Sequence, residues 1–82
     1  MPYLVIWDFK HANPQARVKF WRWMRSKKGP NPAEWEALFN SVIYTDRAEV
    51  ANQIAKQLKN LEAKVGVVEG VFKDISGKIE NI

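Results

Sequence analysis

The sequence predicts a small two-layer α/β sandwich, ordered β-α-β-α-β with a further short strand at its C-terminal end. Three observations carry the expectation. Strand-like runs rich in β-branched and aromatic residues recur near residues 3–9, 41–45 and 64–69. A helical pattern stands between each pair, and strands that alternate with helices imply right-handed crossovers with both helices packed on one side of a sheet. Finally, 82 residues leave room for one domain, expected over residues 1–75 with a tail at 76–82.

The first run, about residues 3–9 around Tyr3-Leu4-Val5-Ile6-Trp7, is nearly continuous in apolar side chains, the pattern of a central strand covered on both faces. Asn13 then offers an N-cap and Pro14 a first helical residue, opening a helix expected to reach Ser26 or Lys27. Ala16, Phe20, Trp21, Trp23 and Met24 fall in one arc of that helix, Arg17 and Arg25 flank the arc, and Val18 is a mismatch on the polar side. Gly29-Pro30-Asn31-Pro32 stops it.

Two readings fit the next segment. Asn31-Pro32-Ala33-Glu34 has the form of a capped helix start, so 32–38 is read first as a short helix or irregular lead-in. Alternatively, Trp35, Ala37 and Phe39 alternate with their neighbours, and Asn40-Ser41 turns a hairpin into Val42-Ile43-Tyr44. The second helix is clearer: Asp46 as cap, Glu49 at N3, and a stripe of Val50, Ile54, Leu58 and Leu61 supported by Ala51 and Ala55. Lys64 to Glu69 follows as a strand. Gly70 is then expected to bend the chain into a strand at Val71-Phe72, and Ser76-Gly77 to turn it into the tail.

A domain of this size buries roughly 60–65% of its unfolded surface, a thin margin. With no cysteine there is no disulfide or thiolate chemistry to add to it, so self-association is the expected source of further stability. The bare second face of so small a sheet points the same way, toward a homodimer. No apolar run approaches the about 18 residues of a membrane span, and Met1-Pro2-Tyr3 opens into a strand with no basic leader, so a soluble, cytoplasmic protein is expected.

Charge is distributed unevenly. Residues 1–28 hold Lys10, Arg17, Lys19, Arg22, Arg25, Lys27 and Lys28 against Asp8 alone, a balance of +6, whereas the remaining residues balance to −2. Such a field favours a polyanionic partner such as DNA, RNA or an anionic membrane surface, and for nucleic acid the candidate contacts are Lys10, His11, Arg17, Lys19, Arg22, Arg25 and Lys28. Nine of the ten aromatics also lie in residues 1–44; interleaved with cations they suit base stacking, although Phe20, Trp23 and Met24 have core spacing and Trp21 and Trp35 are the two left undetermined.

Asp8 ends the first strand, where open α/β sheets place ligand groups, and a carboxylate there is a candidate catalytic residue and ligand for Mg²⁺ or Mn²⁺. The competing reading is a strand-ending residue that caps the following loop or pairs with Lys10 or Arg17. No second acid lies at a ligand spacing, so a metal site would need a second copy of the chain, or backbone and water. His11, the sole histidine, excludes multi-histidine metal sites within one chain, and no glycine-rich phosphate loop is present.

The path from Tyr3-Leu4-Val5-Ile6-Trp7-Asp8 through a basic helix to Asn40-Ser41-Val42-Ile43-Tyr44, an acid-capped helix and Lys64-Val65-Gly66-Val67-Val68 resembles the small ferredoxin-like subunit of the CRISPR spacer-acquisition machinery. It is also similar to the virulence-associated protein D ribonucleases. The resemblance spans about residues 3–70 and implies a ferredoxin-like sandwich, a homodimer, and work inside a larger nucleic-acid-processing complex. It also implies a weak Mg²⁺-dependent endonuclease whose proposed metal ligand matches Asp8. In the family's Ser-Val-aromatic signature, Ser41 and Val42 match, Ile43 stands where an aromatic is usual, and Tyr44 follows one place later. The long 29–38 connection also departs from the pattern. Because nuclease activity varies among such proteins, a non-catalytic nucleic-acid-binding or assembly module is the alternative, and a protein-interaction domain with a merely solvated basic helix is a second one.

Overall fold

The computed structural model describes residues 2–10 and 12–70. Expectations for His11, for a strand at Val71-Phe72 and for the turn and tail from Ser76 onward fall outside these residues. In chain order the elements are β1 (Tyr3–Asp8), α1 (Ala16–Met24), a 3-10 turn (Pro32–Glu34), β2 (Glu36–Phe39), β3 (Val42–Thr45), α2 (Ala48–Asn60) and β4 (Lys64–Glu69). The four strands form one antiparallel sheet in the order β2-β3-β1-β4. Side chains from both helices meet Val5, Trp7 and Ile43 in a single core, so both helices lie on one side of the sheet, as the alternating pattern predicts.

The 32–38 segment corrects the preferred reading by dividing it. Asn31 does cap a turn, its Oδ1 accepting from the Ala33 N–H at 3.0 Å, but the turn is three residues of 3-10 helix and the chain then extends into β2. Glu36 lies opposite Tyr44, Ala37 opposite Ile43 and Phe39 opposite Val42, which leaves Leu38 as a bulge.

Both helix starts also differ from expectation. Asn13 Oδ1 accepts from the Gln15 N–H at 2.8 Å and its carbonyl from the Ala16 N–H, so Asn13-Pro14-Gln15-Ala16 is a turn and α1 begins two residues after Pro14. At its other end Ser26 Oγ and the Ser26 N–H both donate to the Trp23 carbonyl, a local alternative that ends the helix early. Asp46 does not cap α2. The Arg47 N–H donates instead to Thr45 Oγ1, which in turn donates to the Glu34 carbonyl at 2.6 Å and ties β3 to the 3-10 turn.

Close packing at the end of α1 depends on Gly29. A Cβ there would stand 2.3 Å from the Trp23 carbonyl oxygen and 3.1 Å from Met24 Cα, both backbone atoms that cannot swing aside. Gly29→Ala is therefore expected to cost about 1–3 kcal/mol, as overpacking does, and to lower the melting temperature by about 5–20 °C in a domain of this size. A thermal melt by circular dichroism within about 2 °C of wild type would contradict this.

The open side of the sheet corrects the expectation that β1 is covered on both faces. Val5 and Trp7 are buried under the helices, but Ile6 is 40% exposed, and Leu4, Val42, Tyr44 and Val68 share its face. The burial alternation along β1 is what the apolar run by itself concealed.

Candidate nucleic-acid interface

Asp8 closes β1 on the open side of the sheet, opposite Lys64 of β4. Its Oδ1 accepts from the Lys10 N–H at 2.8 Å, so the carboxylate caps the loop that follows. Beside it the chain forms a shallow recess of about 290 Å³ lined by Asp8, Lys10, Glu62 and Lys64. Glu62 is the acid that sequence spacing misses. It occupies a left-handed position, φ 64°, just past the end of α2, where the Glu62 N–H donates to the Lys59 carbonyl and the Ala63 N–H to the Leu58 carbonyl. Those two bonds are the usual helix-ending pair, normally built on glycine, and they bring Glu62 back toward the start of β4.

Two carboxylates accompanied by two ammonium groups are a poor ligand set for Mg²⁺ or Mn²⁺, which favours several oxygen donors and net negative charge. Among the described residues no group of three histidine, cysteine, aspartate or glutamate side chains comes together. The residues of one chain around Asp8 therefore do not fit a divalent site.

The expected basic contacts are better placed. Arg17, Lys19, Arg22 and Arg25 are all exposed along α1, with Lys28 exposed in the turn that follows and Lys10 on the loop beyond β1. Both ion pairs among the described residues belong to Arg47, which bridges Glu34 at 2.9 Å and Glu49 at 2.6 Å. The Glu49 hydrogen bond, with the charges of Glu49 and Glu34, raises the Arg47 pKa above its ordinary value. Among the described residues no carboxylate lies within ion-pair distance of the cations of α1. The helix and its C-cap Arg25 thus gather four exposed cations without an ion-pair partner among the described residues, while the stripe Ala16, Phe20 and Met24 is buried.

Along one flank of that surface a groove of about 710 Å³ runs between α1 and the outer edge of β2. Arg17, Trp21 and Arg25 form its helical wall, with Trp35 and Leu38 opposite. The Trp21 and Trp35 rings lie 6.3 Å apart at 45° and join a wider aromatic stack through Trp7 and Phe20. A smaller recess on the same helix adds Val18 and Arg22. The undetermined Trp21 and Trp35 are therefore partners across a surface groove, a pairing that depends on β2 being a strand.

Among the described residues no helix is long and apolar enough to cross a membrane. Comparison of the chain with protein-family models, with curated proteins and with solved structures finds no match.

Proposed function

We propose that this chain is a homodimeric nucleic-acid-binding protein that holds DNA or RNA by its phosphates along α1, in an assembly role. The observation that carries the reading is the row of exposed cations Arg17, Lys19, Arg22 and Arg25, which have no ion-pair partner among the described residues, set against the engaged Arg47. Polyanion binding uses such cations directly, since each phosphate neutralised releases counterions. The interleaving of β1-α1-β2 with β3-α2-β4 in one antiparallel sheet supports a ferredoxin-like arrangement. The resemblance to the spacer-acquisition subunit stands on the same order of elements. The open face of Leu4, Ile6, Val42, Tyr44 and Val68 is the surface a second copy would cover.

The endonuclease reading has less behind it. It requires Asp8 from two copies to supply what one chain lacks, and Asp8 already accepts from the Lys10 N–H.

Fluorescence anisotropy with labelled DNA and RNA between about 50 and 200 mM salt tests binding. Three or four phosphate contacts on α1 should give a log–log slope of about −3 to −4 on duplex DNA. Light scattering on the same samples should return twice the chain mass. Salt-independent or absent binding would leave the basic helix merely solvated. Asp8→Asn is expected to change affinity by less than about twofold, because Asp8 is no phosphate contact. Wild-type cleavage that needs Mg²⁺ or Mn²⁺ and disappears in Asp8→Asn would replace the assembly role with that of an endonuclease.

A further inference from the structure

We propose that the groove between α1 and the β2 edge is a stacking site for unpaired bases, so that the protein prefers single-stranded to duplex nucleic acid. This rests on the nucleic-acid reading above and adds a site to it. Three features of the groove select the ligand.

The first is charge. Arg17 and Arg25 stand at either end of Trp21, two helical turns apart, a separation of about 12 Å along the axis. Among the described residues no carboxylate lines the groove, and Asn40 adds a neutral amide. Its occupant is therefore anionic, with negative charge at both ends and something else between.

The second is the aromatic wall. Trp21 and Trp35 pack against the core yet are only partly buried, and both line the groove beside the two arginines. A base with its flanking phosphates meets that alternation of cation, ring and cation. Stacking on an aromatic side chain is open to any base, whereas in a duplex the base faces are already stacked and unavailable. A cavity of about 710 Å³ is within the range of sites that enclose a small organic ligand, ample for a nucleoside.

The third feature disfavours the main rival, an acidic peptide pairing with β2 as an added strand. β2 has four residues, and Leu38 breaks its regularity as a bulge, a device that blunts an edge against strand addition. Backbone pairing is the chief source of affinity in that mode of recognition, and here it is weak.

Trp35 Nε1 is buried and has no hydrogen-bond acceptor among the described residues. The Trp35 ring is accordingly held by packing alone, and its polar atom gives the fold no reason to prefer tryptophan over phenylalanine. Ring area facing the groove is a reason that remains.

The test compares an unstructured oligothymidylate with a duplex of equal length at one salt concentration, reading anisotropy of the labelled nucleic acid and intrinsic tryptophan fluorescence. The single strand is expected to bind at least about tenfold tighter and to quench tryptophan emission. Trp21→Leu should weaken single-strand binding by about 5- to 100-fold and leave duplex binding unchanged. Trp21 also packs on Trp7 and Phe20. Leu38→Asn is therefore the second variant: it puts a polar side chain into the groove from the sheet edge, adds no charge beside Arg17 and Arg25, and should cause the same selective loss. Duplex binding with normal salt dependence, but without single-strand preference or quenching, would overturn the stacking site and leave the basic helix as the contact surface. Binding of neither nucleic acid would overturn both. Polyglutamate that competes as well as the oligonucleotide, charge for charge, would assign the groove to an acidic peptide instead.

Discussion

Phe20→Ala is expected to cost the domain about 3–5 kcal/mol, a large share of its stability. Phe20 is fully buried, and its ring lies 5.1 Å from those of Trp7 and Trp21, with Phe9 at 6.2 Å and Trp23 at 6.3 Å. It is the middle of the three buried side chains, Ala16, Phe20 and Met24, by which α1 holds the sheet. A nine-residue helix with no side-chain cap is not stable by itself, so its order depends on this packing. Truncating a buried phenylalanine costs about 3–5 kcal/mol. A chain of this length has a total of about 4–12 kcal/mol, so the variant loses between about a quarter and all of its stability. Urea unfolding followed by far-ultraviolet circular dichroism measures the loss, and a change below about 1 kcal/mol would show that α1 is not held as described. Because the α1 cations are positioned only by that helix, binding of nucleic acid should fail together with the fold.

How far these features were legible in the chain follows from the range of the interactions that create them. α2 was readable because its stripe of Val50, Ile54 and Leu58 is repeated by the helix itself, and all three are buried. Asp46 has the residue type of a cap, but the turn before α2 is tied down by Thr45, whose Oγ1 donates to the Glu34 carbonyl, eleven residues away, and accepts from the Arg47 N–H, contacts that local spacing does not show. β2 was hidden for a similar reason. The alternation of Trp35, Ala37 and Phe39 hints at it, but three of its four residues are exposed, so the local pattern does not choose strand over a capped helix and pairing with β3 decides. The Trp21–Trp35 groove could not be seen without β2. The proximity of Glu62 to Asp8 needed both the β1–β4 register and a left-handed residue after α2, where glutamate gives no signal of the kind glycine would. The exposure of Lys19 and Arg22 was legible because they lie on the polar side of the helix, and that of Arg17 and Arg25 because they flank the apolar arc rather than belong to it.

Those cations set the other large effect. Arg22→Glu combined with Arg25→Glu should weaken nucleic-acid binding about 100-fold and reduce the slope of log affinity against log salt. A unit charge about 6 Å from a phosphate in water contributes about 0.7 kcal/mol, and reversal changes each term by twice that, or about 2.8 kcal/mol for two residues. The lost phosphate contacts should flatten the slope by about 1.8 on duplex DNA. The loss should be nearly uniform across sequences, because phosphate contacts carry little base information. The fold should be spared: both side chains are exposed, neither has an ion-pair partner among the described residues, and the core stripe lies on the other side of α1. Anisotropy titrations at three salt concentrations, with circular dichroism to verify the helix, separate the outcomes. A folded double variant that binds with wild-type affinity and slope would exclude this surface as the contact. One that loses affinity at low salt and converges with wild type at high salt would identify α1 as the electrostatic footprint. Arg25 also walls the groove, so a single strand should lose more than a duplex, by the share of binding that depends on holding a phosphate beside Trp21.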